Sequence, residues 1–303
     1  MMSKLKEFGM AALKGFGMGA GSVTPSVSAG TIALLTGIYG KIIDSLDALS
    51  NKKTWKALFS GNVREFWSLV GGTFLVALAL GFVVSVMALA GVVDWGLTHY
   101  PIITWAFFFG LIIASTVLLL KGTKDLRWTD LIWAAIGVAL GIGICRLTPS
   151  ESPDSLLYIF ICGAVSVTTM ILPGIAGAFV LQVMGKYEYI INAIAPPMNW
   201  PVLGVFALGC IVGLLAFAKF LKWLMGRWER QTIVLLIGFV IGSLVRLWPY
   251  YDMEANRIAQ ELRTGLPATT VDLQIPEAVI SCIIGVGLVA AIAFIGNRNN
   301  SKA

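Results

Sequence analysis

The apolar stretch from Gly163 to Tyr187 reads GAVSVTTMILPGIAGAFVLQVMGKY and carries no charge before Lys186. The dipeptide Pro173-Gly174 interrupts it near the middle. Proline removes a backbone hydrogen-bond donor, and glycine tolerates dihedral angles that a helix does not use. The sequence therefore predicts two half-helices that meet at a bend.

A second stretch, Ala20 to Tyr39, reads AGSVTPSVSAGTIALLTGIY and is also broken by a proline, Pro25. Pro25 precedes Pro173 by 148 residues (173 minus 25). Tyr39 follows Pro25 by fourteen residues, and Tyr187 follows Pro173 by the same number. Interrupted apolar segments in corresponding positions are typical of transporters that are built from an internal repeat.

The composition indicates an integral membrane protein. Of the 303 residues, 57% are hydrophobic and 13% are charged, and the mean hydropathy is +0.85. A soluble globule needs more polar residues to cover its surface. The four cysteines lie in apolar runs without a C-x-x-C pair, which favours small core residues over a disulfide or metal site. The 22 basic residues are scattered between apolar runs, so we expect no nucleic-acid partner.

The uncharged runs predict an all-α membrane protein with two repeats, 1–150 and 151–303. Each repeat is expected to contain one proline-broken re-entrant hairpin, at about 15–40 and at about 157–192. Three membrane crossings are expected in each repeat, at 66–93, 101–120, 131–147, 200–221, 232–248 and 277–296. An interfacial helix is expected at about 41–60, and an outer loop at 249–275.

Three crossings are an odd number, so the second repeat is expected to be inverted in the membrane relative to the first. The distribution of charge tests this arrangement, because cytoplasmic loops carry most of the lysine and arginine in membrane proteins. With both termini cytoplasmic, only five of the 22 basic residues lie outside: Arg146, Lys186, Arg246, Arg257 and Arg263. The charge distribution therefore favours two re-entrant hairpins and cytoplasmic N- and C-termini.

The two proline turns are the predicted substrate site. The N-terminus of a half-helix has free N–H groups and the positive end of the helix dipole, which suit a phosphate or a carboxylate. Small residues allow an anion to approach the backbone, and hydroxyl groups add donors. The candidates are Thr24, Pro25, Ser26, Ser28, Gly30 and Thr31 in the first turn, and Pro173, Gly174 and Gly177 in the second. The alternative is a pair of kinked helices whose small residues only allow close packing.

Two arginines end matched apolar runs of fifteen residues. Leu131 to Cys145 precedes Arg146, and Gln231 to Val245 precedes Arg246. The sixteen steps from Asp130 to Arg146, and from Arg230 to Arg246, correspond to about 24 Å of helix, so both arginines are expected near the outer headgroups. Each arginine is either a helix anchor or a phosphate ligand that binds through its planar guanidinium, with the two roles equally plausible for Arg146. For Arg246 the ligand role is favoured only by the resemblance of its segment to a family motif, given below. Lys186, at the end of the second hairpin, is a candidate guide for the phosphate or an interfacial anchor.

Three motifs resemble those of the polyprenyl-phosphate transporter family. They are TPSVSAGTIA around Pro25, ILPGIAGAF around Pro173, and GSLVRLWP from Gly242 to Pro249. The resemblance extends over nearly the whole chain. It implies a multi-pass protein of the bacterial cytoplasmic (inner) membrane that returns undecaprenyl phosphate from the outer to the cytoplasmic leaflet. This lipid carrier of peptidoglycan and surface polysaccharides would thereby be reused.

The chain departs from the family pattern at both turns. Ser22 stands where the family usually has an aspartate, and Ala176 and Ala178 replace serines that the family has in the second turn. The missing carboxylate leaves coupling to a proton or a sodium ion as an open question, and no cofactor is expected. A phosphate site that is built from backbone N–H groups does not need these side chains.

An enzyme and a channel are the alternatives to a lipid transporter. Undecaprenyl-pyrophosphate phosphatase also has inverted repeats and re-entrant segments, and a small-anion channel or exchanger would also use helix ends. Phosphoester hydrolysis needs charged or nucleophilic groups, and neither turn contains Asp, Glu, Arg or His. We therefore expect a flippase and no enzyme. The phosphate is expected to pass between the two turns as the two halves of the chain rock, while the prenyl tail stays in the hydrocarbon.

Overall fold

The computed structural model describes residues 2–23, 28–123, 126–148, 152–267 and 271–300. Within these ranges the chain forms fourteen α-helices and no strand. They are α1 (Met2–Ser22), α2 (Ala29–Leu35), α3 (Tyr39–Leu49), α4 (Lys52–Phe59), α5 (Val63–Leu69), α6 (Gly72–His99), α7 (Pro101–Gly122), α8 (Asp130–Cys145), α9 (Leu156–Ile171), α10 (Gly177–Val183), α11 (Tyr187–Ile194), α12 (Trp200–Leu247), α13 (Met253–Thr264) and α14 (Ile275–Asn300). Trp228, with φ −140° and ψ 54°, divides α12 into two arms, which we call α12N (200–227) and α12C (229–247).

The long helices confirm an all-α membrane architecture. Among the described helices, α6, α7 and α12 are long and apolar enough to cross a membrane by length and composition. Helices α8, α9 and the part of α14 from Ile275 to Ala291 are apolar but shorter. The predicted crossings 200–221 and 232–248 correspond to the two arms of α12. The chain is helical on both sides of the break at Trp228.

The break that the sequence predicts at Pro173 is confirmed. Helix α9 ends at Ile171, and α10 begins at Gly177. Gly174 lies in the turn between them with φ +101°, a conformation that residues with a Cβ rarely adopt. The turn therefore depends on glycine at this position as well as on proline.

The first apolar segment is divided at the corresponding place. Helix α1 ends at Ser22 and α2 begins at Ala29, with Ser28 as its N-cap. The candidate residues Thr24, Pro25 and Ser26 lie outside the described residues. The described candidates of the first turn are consequently Ser28, Gly30 and Thr31.

Glycines bring α1 into backbone contact with α6, and α9 into backbone contact with α12N. A Cβ on Gly81 of α6 would overlap the carbonyl oxygen of Ala12 in α1. A Cβ on Gly209 of α12N would overlap the carbonyl oxygen of Phe160 in α9. The two contacts correspond, because Phe160 follows Ala12 by 148 residues (160 minus 12) and Gly209 follows Gly81 by 128 (209 minus 81). Such close approach requires glycine in membrane helices.

Two further helix pairs combine opposite halves of the sequence, α7 with α14 and α8 with α12C. A Cβ on Gly110 of α7 would overlap the backbone of Cys282, and a Cβ on Gly238 of α12C would overlap the backbone of Ala134. The same offsets recur: Gly238 follows Gly110 by 128 residues (238 minus 110), and Cys282 follows Ala134 by 148 (282 minus 134). The two halves of the chain are thus interlocked rather than separate.

Helices α1 and α6 run in the same direction. Gly15 lies against Leu78, and Gly19, one turn further along α1, lies against Ser85. Both helices therefore start at the same end of the protein, and the chain between them turns back. Because Ser85 lies at the middle of the 28-residue α6, the last turn of α1 lies about halfway along that helix. Helices α9 and α12N show the same parallel contact.

The segment predicted as one interfacial helix at about 41–60 is helical, but it is divided into α3 and α4. Asn51 caps the start of α4 by accepting a hydrogen bond from the Lys53 N–H. A further break follows between α4 and α5, where Gly61 adopts φ +80°. The helical spacing of apolar residues did not reveal these breaks, because short polar caps interrupt a helix without changing its period.

Candidate functional site

Arg246 and the second proline turn share one small cavity. Its lining consists of Cys145, Gly174, Ile175, Ala176, Phe179 and Arg246. The empty volume is about 170 Å³, including the space at the mouth. Its enclosed part is about the size of one water molecule, so a phosphate would have to occupy the open mouth or widen the cavity. The last turn of α12C thus places the predicted phosphate-binding arginine beside the predicted turn.

The Arg246 guanidinium lies close to two aromatic rings. Its Cζ atom is 5.2 Å from the ring centroid of Phe179 and 4.7 Å from that of Tyr251. Both distances are within the range of cation–π attraction. In the described part of the chain, no carboxylate lies within ion-pair distance of Arg246. Its positive charge is therefore available to an anion.

The backbone of the second turn adds hydrogen-bond donors. Among the described residues, the N–H groups of residues 174–178 have no protein acceptor. Phe179 and Val180 are the first to donate, both to the carbonyl oxygen of Ala176. Ala176 is the N-cap of α10 but has no side chain that caps the helix. Free N–H groups and Arg246 together make the cavity electropositive.

Gly174 and Gly177 hold the second turn against neighbouring helices. A Cβ on Gly174 would lie 2.9 Å from Ser243 Oγ and 3.2 Å from Val240 Cα, both on α12C. A Cβ on Gly177 would lie 2.5 Å from the carbonyl oxygen of Ser166 on α9. These predicted site residues therefore allow close packing, and the packing of Gly174 brings the turn next to the helix that carries Arg246.

The described residues of the first turn attach to the end of α9. Ser28 Oγ accepts a hydrogen bond from the Gly30 N–H (3.1 Å) and donates one to the carbonyl oxygen of Leu172 (2.8 Å). A Cβ on Gly30 would overlap the carbonyl oxygen of Ile171. Thr31 is fully buried, and its Oγ1 has no hydrogen-bond partner in the described part of the protein. The two hairpins thus meet, but the Ser28 hydroxyl is already used in that contact and the Gly30 N–H is already used within the first turn.

Arg146 and Lys186 do not join the cavity. Arg146 is exposed at the end of α8, although its neighbour Cys145 lines the cavity. Lys186 is buried, with its Nζ 2.6 Å from Asp154 Oδ1 and 2.9 Å from the carbonyl oxygen of Ser152. The ammonium group of Lys186 therefore stabilises the base of the second hairpin.

Phe179 and Tyr251 contact the central arginine, although the sequence did not single them out. Phe179 lies in the quoted apolar stretch, six residues after Pro173, and Tyr251 follows the GSLVRLWP motif by two residues. The contact between Phe179 and Arg246 joins residues that are 67 positions apart (246 minus 179). No spacing rule for a single helix predicts a contact over that separation.

Comparisons with known proteins identify the family. A family model described as undecaprenyl phosphate translocase-like matches residues 18–264. The chain belongs to this family. It is similar to a polyprenyl-phosphate transporter of Vibrio cholerae serotype O1, with 34% identity over 260 residues that cover 85% of this chain and 83% of the relative. It is also similar to a polyprenyl-phosphate transporter of Staphylococcus aureus, with 30% identity over 254 residues that cover 78% and 85% of the two chains.

No solved structure gives a significant match to the chain. The region that matches the translocase-like family includes both proline turns, Arg246 and α13. The cavity therefore lies entirely inside the part of the chain that defines its family.

Proposed function

We propose that this member of the translocase-like family transports polyprenyl phosphate, returning undecaprenyl phosphate or a similar lipid from the outer to the cytoplasmic leaflet. Its two relatives carry the name polyprenyl-phosphate transporter, which supports this class of substrate. The structural observation that carries the proposal is Arg246, which lines a small cavity beside the second proline turn and has no carboxylate partner in the described part of the chain.

In this proposal the protein lies in a bacterial cytoplasmic membrane as two inverted repeats, with both termini cytoplasmic. The recurrence of the offsets 148 and 128 in four helix pairs supports a duplicated fold. The parallel contact of α1 with α6 supports a hairpin that enters and returns on one side, since the last turn of α1 lies only halfway along α6. The asymmetric distribution of lysine and arginine supports the orientation.

The protein's main task is to lower the free energy of a phosphate group inside the hydrocarbon region of the membrane. A bare anion is excluded from hydrocarbon, because it loses its hydration there. Arg246 supplies a full positive charge, and the free N–H groups of residues 174–178 supply hydrogen bonds. The prenyl tail needs no such help and stays among the lipid tails.

The moving parts differ from those that the repeat pattern suggests. Rocking of 1–150 against 151–303 would separate α7 from α14 and α8 from α12C, whose backbones touch at glycines. We therefore propose that these two pairs form one body. The pairs α1 with α6 and α9 with α12N, each carrying a hairpin, move relative to it.

The cavity favours a transporter over a phosphatase. Its lining contains one arginine, one thiol and apolar or backbone groups, but no carboxylate or imidazole that would act as a general base. We propose that the protein is no enzyme and uses no cofactor. Movement of the lipid is either uncoupled or coupled to a proton or a sodium ion. Both alternatives stay in the proposal, because Ser22, which ends α1, lacks the acidic side chain that the family usually has at this position.

Reconstitution in liposomes tests the proposal. The measurement follows undecaprenyl phosphate across the bilayer with no gradient, with a pH gradient and with a sodium gradient. We expect transbilayer movement of the lipid without release of inorganic phosphate and without chloride flux. Phosphate release would identify a phosphatase, and chloride flux would identify a channel. If no polyprenyl phosphate moves under any of the three conditions, the transporter function is excluded.

A further inference from the structure

The aromatic contacts of Arg246 come from two separate elements. Phe179 belongs to the first turn of α10, and Tyr251 lies in the turn that follows α12, where its N–H donates to the carbonyl oxygen of Trp248 (2.9 Å). An aromatic ring attracts the guanidinium but accepts no strong hydrogen bond from it. The two rings therefore restrict the arginine side chain while leaving its N–H donors free.

We propose that Phe179 and Tyr251 form an aromatic clamp, in which they act as positioning residues that hold the Arg246 guanidinium towards the phosphate of the transported lipid. This inference rests on the proposed function, because it concerns binding of the same anion. Arginine has many rotamers, and a long side chain that is already ordered loses less entropy when it binds. The clamp thus raises affinity by ordering the arginine side chain rather than through a polar contact of its own.

The exposure of Tyr251 favours a role in positioning Arg246 over a role in the hydrophobic core. Its side chain is 44% exposed, so burial explains only part of its presence in the turn. Its hydroxyl makes no hydrogen bond in the part of the chain that the structure describes. The neighbouring Tyr250 secures the loop instead, by donating its hydroxyl to the carbonyl oxygen of Leu273 (3.0 Å). The ring of Tyr251 is therefore left to contact Arg246.

The clamp also connects the outer loop to the site. Arg263, in the last turn of α13, donates to the carbonyl oxygen of His99 and lies 4.9 Å from the ring of Tyr100. These contacts attach α13 to the ends of α6 and α7. Tyr251 follows α12 directly, so the same loop that covers those helix ends also orders the phosphate-binding arginine.

The test compares two neighbouring tyrosines in the purified full-length protein. Farnesyl phosphate serves as a water-soluble probe for binding in detergent, and undecaprenyl phosphate is used for transport in liposomes. Tyr251→Leu is expected to weaken farnesyl phosphate binding about tenfold and to raise the half-saturating lipid concentration more than it lowers the maximal rate. Tyr251→Phe is expected to restore binding to within about twofold, because the ring remains. Phe179→Leu is expected to resemble Tyr251→Leu.

Tyr250→Leu is the matched control, since it removes the contact that secures the loop without touching Arg246. We expect this control to lose clearly less affinity for the probe than Tyr251→Leu does, because the ring of Tyr251 is still present. Equal losses in Tyr250→Leu and Tyr251→Leu, or wild-type binding by Tyr251→Leu, would overturn the clamp and leave the transport function intact. A wild-type protein that neither binds farnesyl phosphate nor moves undecaprenyl phosphate would instead overturn the proposed function, and the clamp with it.

Discussion

Replacement of Arg246 by lysine distinguishes between two roles of this residue, a ligand of the phosphate and an anchor of the helix end. The structure places this arginine in a cavity with the second proline turn, beside two rings and away from any described carboxylate. Arg246→Lys keeps the positive charge and the contact with the rings but loses the planar pair of donors that grips a phosphate. A residue that only anchors a helix end would tolerate this change, because lysine reaches the interface as well as arginine does.

The expected loss follows from one hydrogen bond. A hydrogen bond to a charged group contributes about 1.5–3 kcal/mol, and about 1.4 kcal/mol corresponds to a tenfold change in affinity. Arg246 is partly exposed, so the lower end of this range applies, and Arg246→Lys should raise the Kd for polyprenyl phosphate about tenfold. Arg246→Ala removes the charge and both donors. Its Kd should rise more than about a hundredfold, since no other cation lines the cavity.

The assay measures farnesyl phosphate binding in detergent and undecaprenyl phosphate transport in liposomes for both variants. Arg146 supplies the control, because it lies at the end of α8 as Arg246 lies at the end of α12C, but it is not part of the cavity lining. We expect Arg146→Lys and Arg146→Ala to bind within about twofold of the wild type. Wild-type affinity and transport in Arg246→Lys would refute the assignment of Arg246 as a ligand.

Three further predictions concern glycine and lysine residues near the hairpins. Gly174→Ala should lower the free energy of unfolding by about 1–2 kcal/mol, because φ is +101° there, and an unchanged midpoint of thermal unfolding in detergent would contradict this. Gly30→Val should destabilise the fold by about 1–3 kcal/mol or more, since its side chain would overlap the carbonyl oxygen of Ile171, and the measurement is the yield of monodisperse protein. Lys186→Met should lose the ion pair with Asp154 but bind farnesyl phosphate within about twofold of the wild type, and a tenfold loss of affinity would restore Lys186 as a ligand.

The sequence by itself determined the class of protein and the positions of the two breaks in the hairpins. Composition was sufficient for a membrane protein, because too few polar residues are available to cover a soluble surface. Pro173 and Gly174 were sufficient for the division between α9 and α10, since their backbone restrictions are local and act in any surroundings. The family motif around Arg246 also indicated the residue that the structure places at the cavity.

Only the tertiary structure decided which helices pair and which residues surround Arg246. The glycines in α8 and α12C showed that helices approach closely there, but a glycine pattern does not specify its partner, so the interlocking of the two halves was not predictable. The rings of Phe179 and Tyr251 reach Arg246 from two different elements. Such contacts depend on how separate segments pack in three dimensions, whereas helical periodicity and local backbone preference describe only neighbours along the chain.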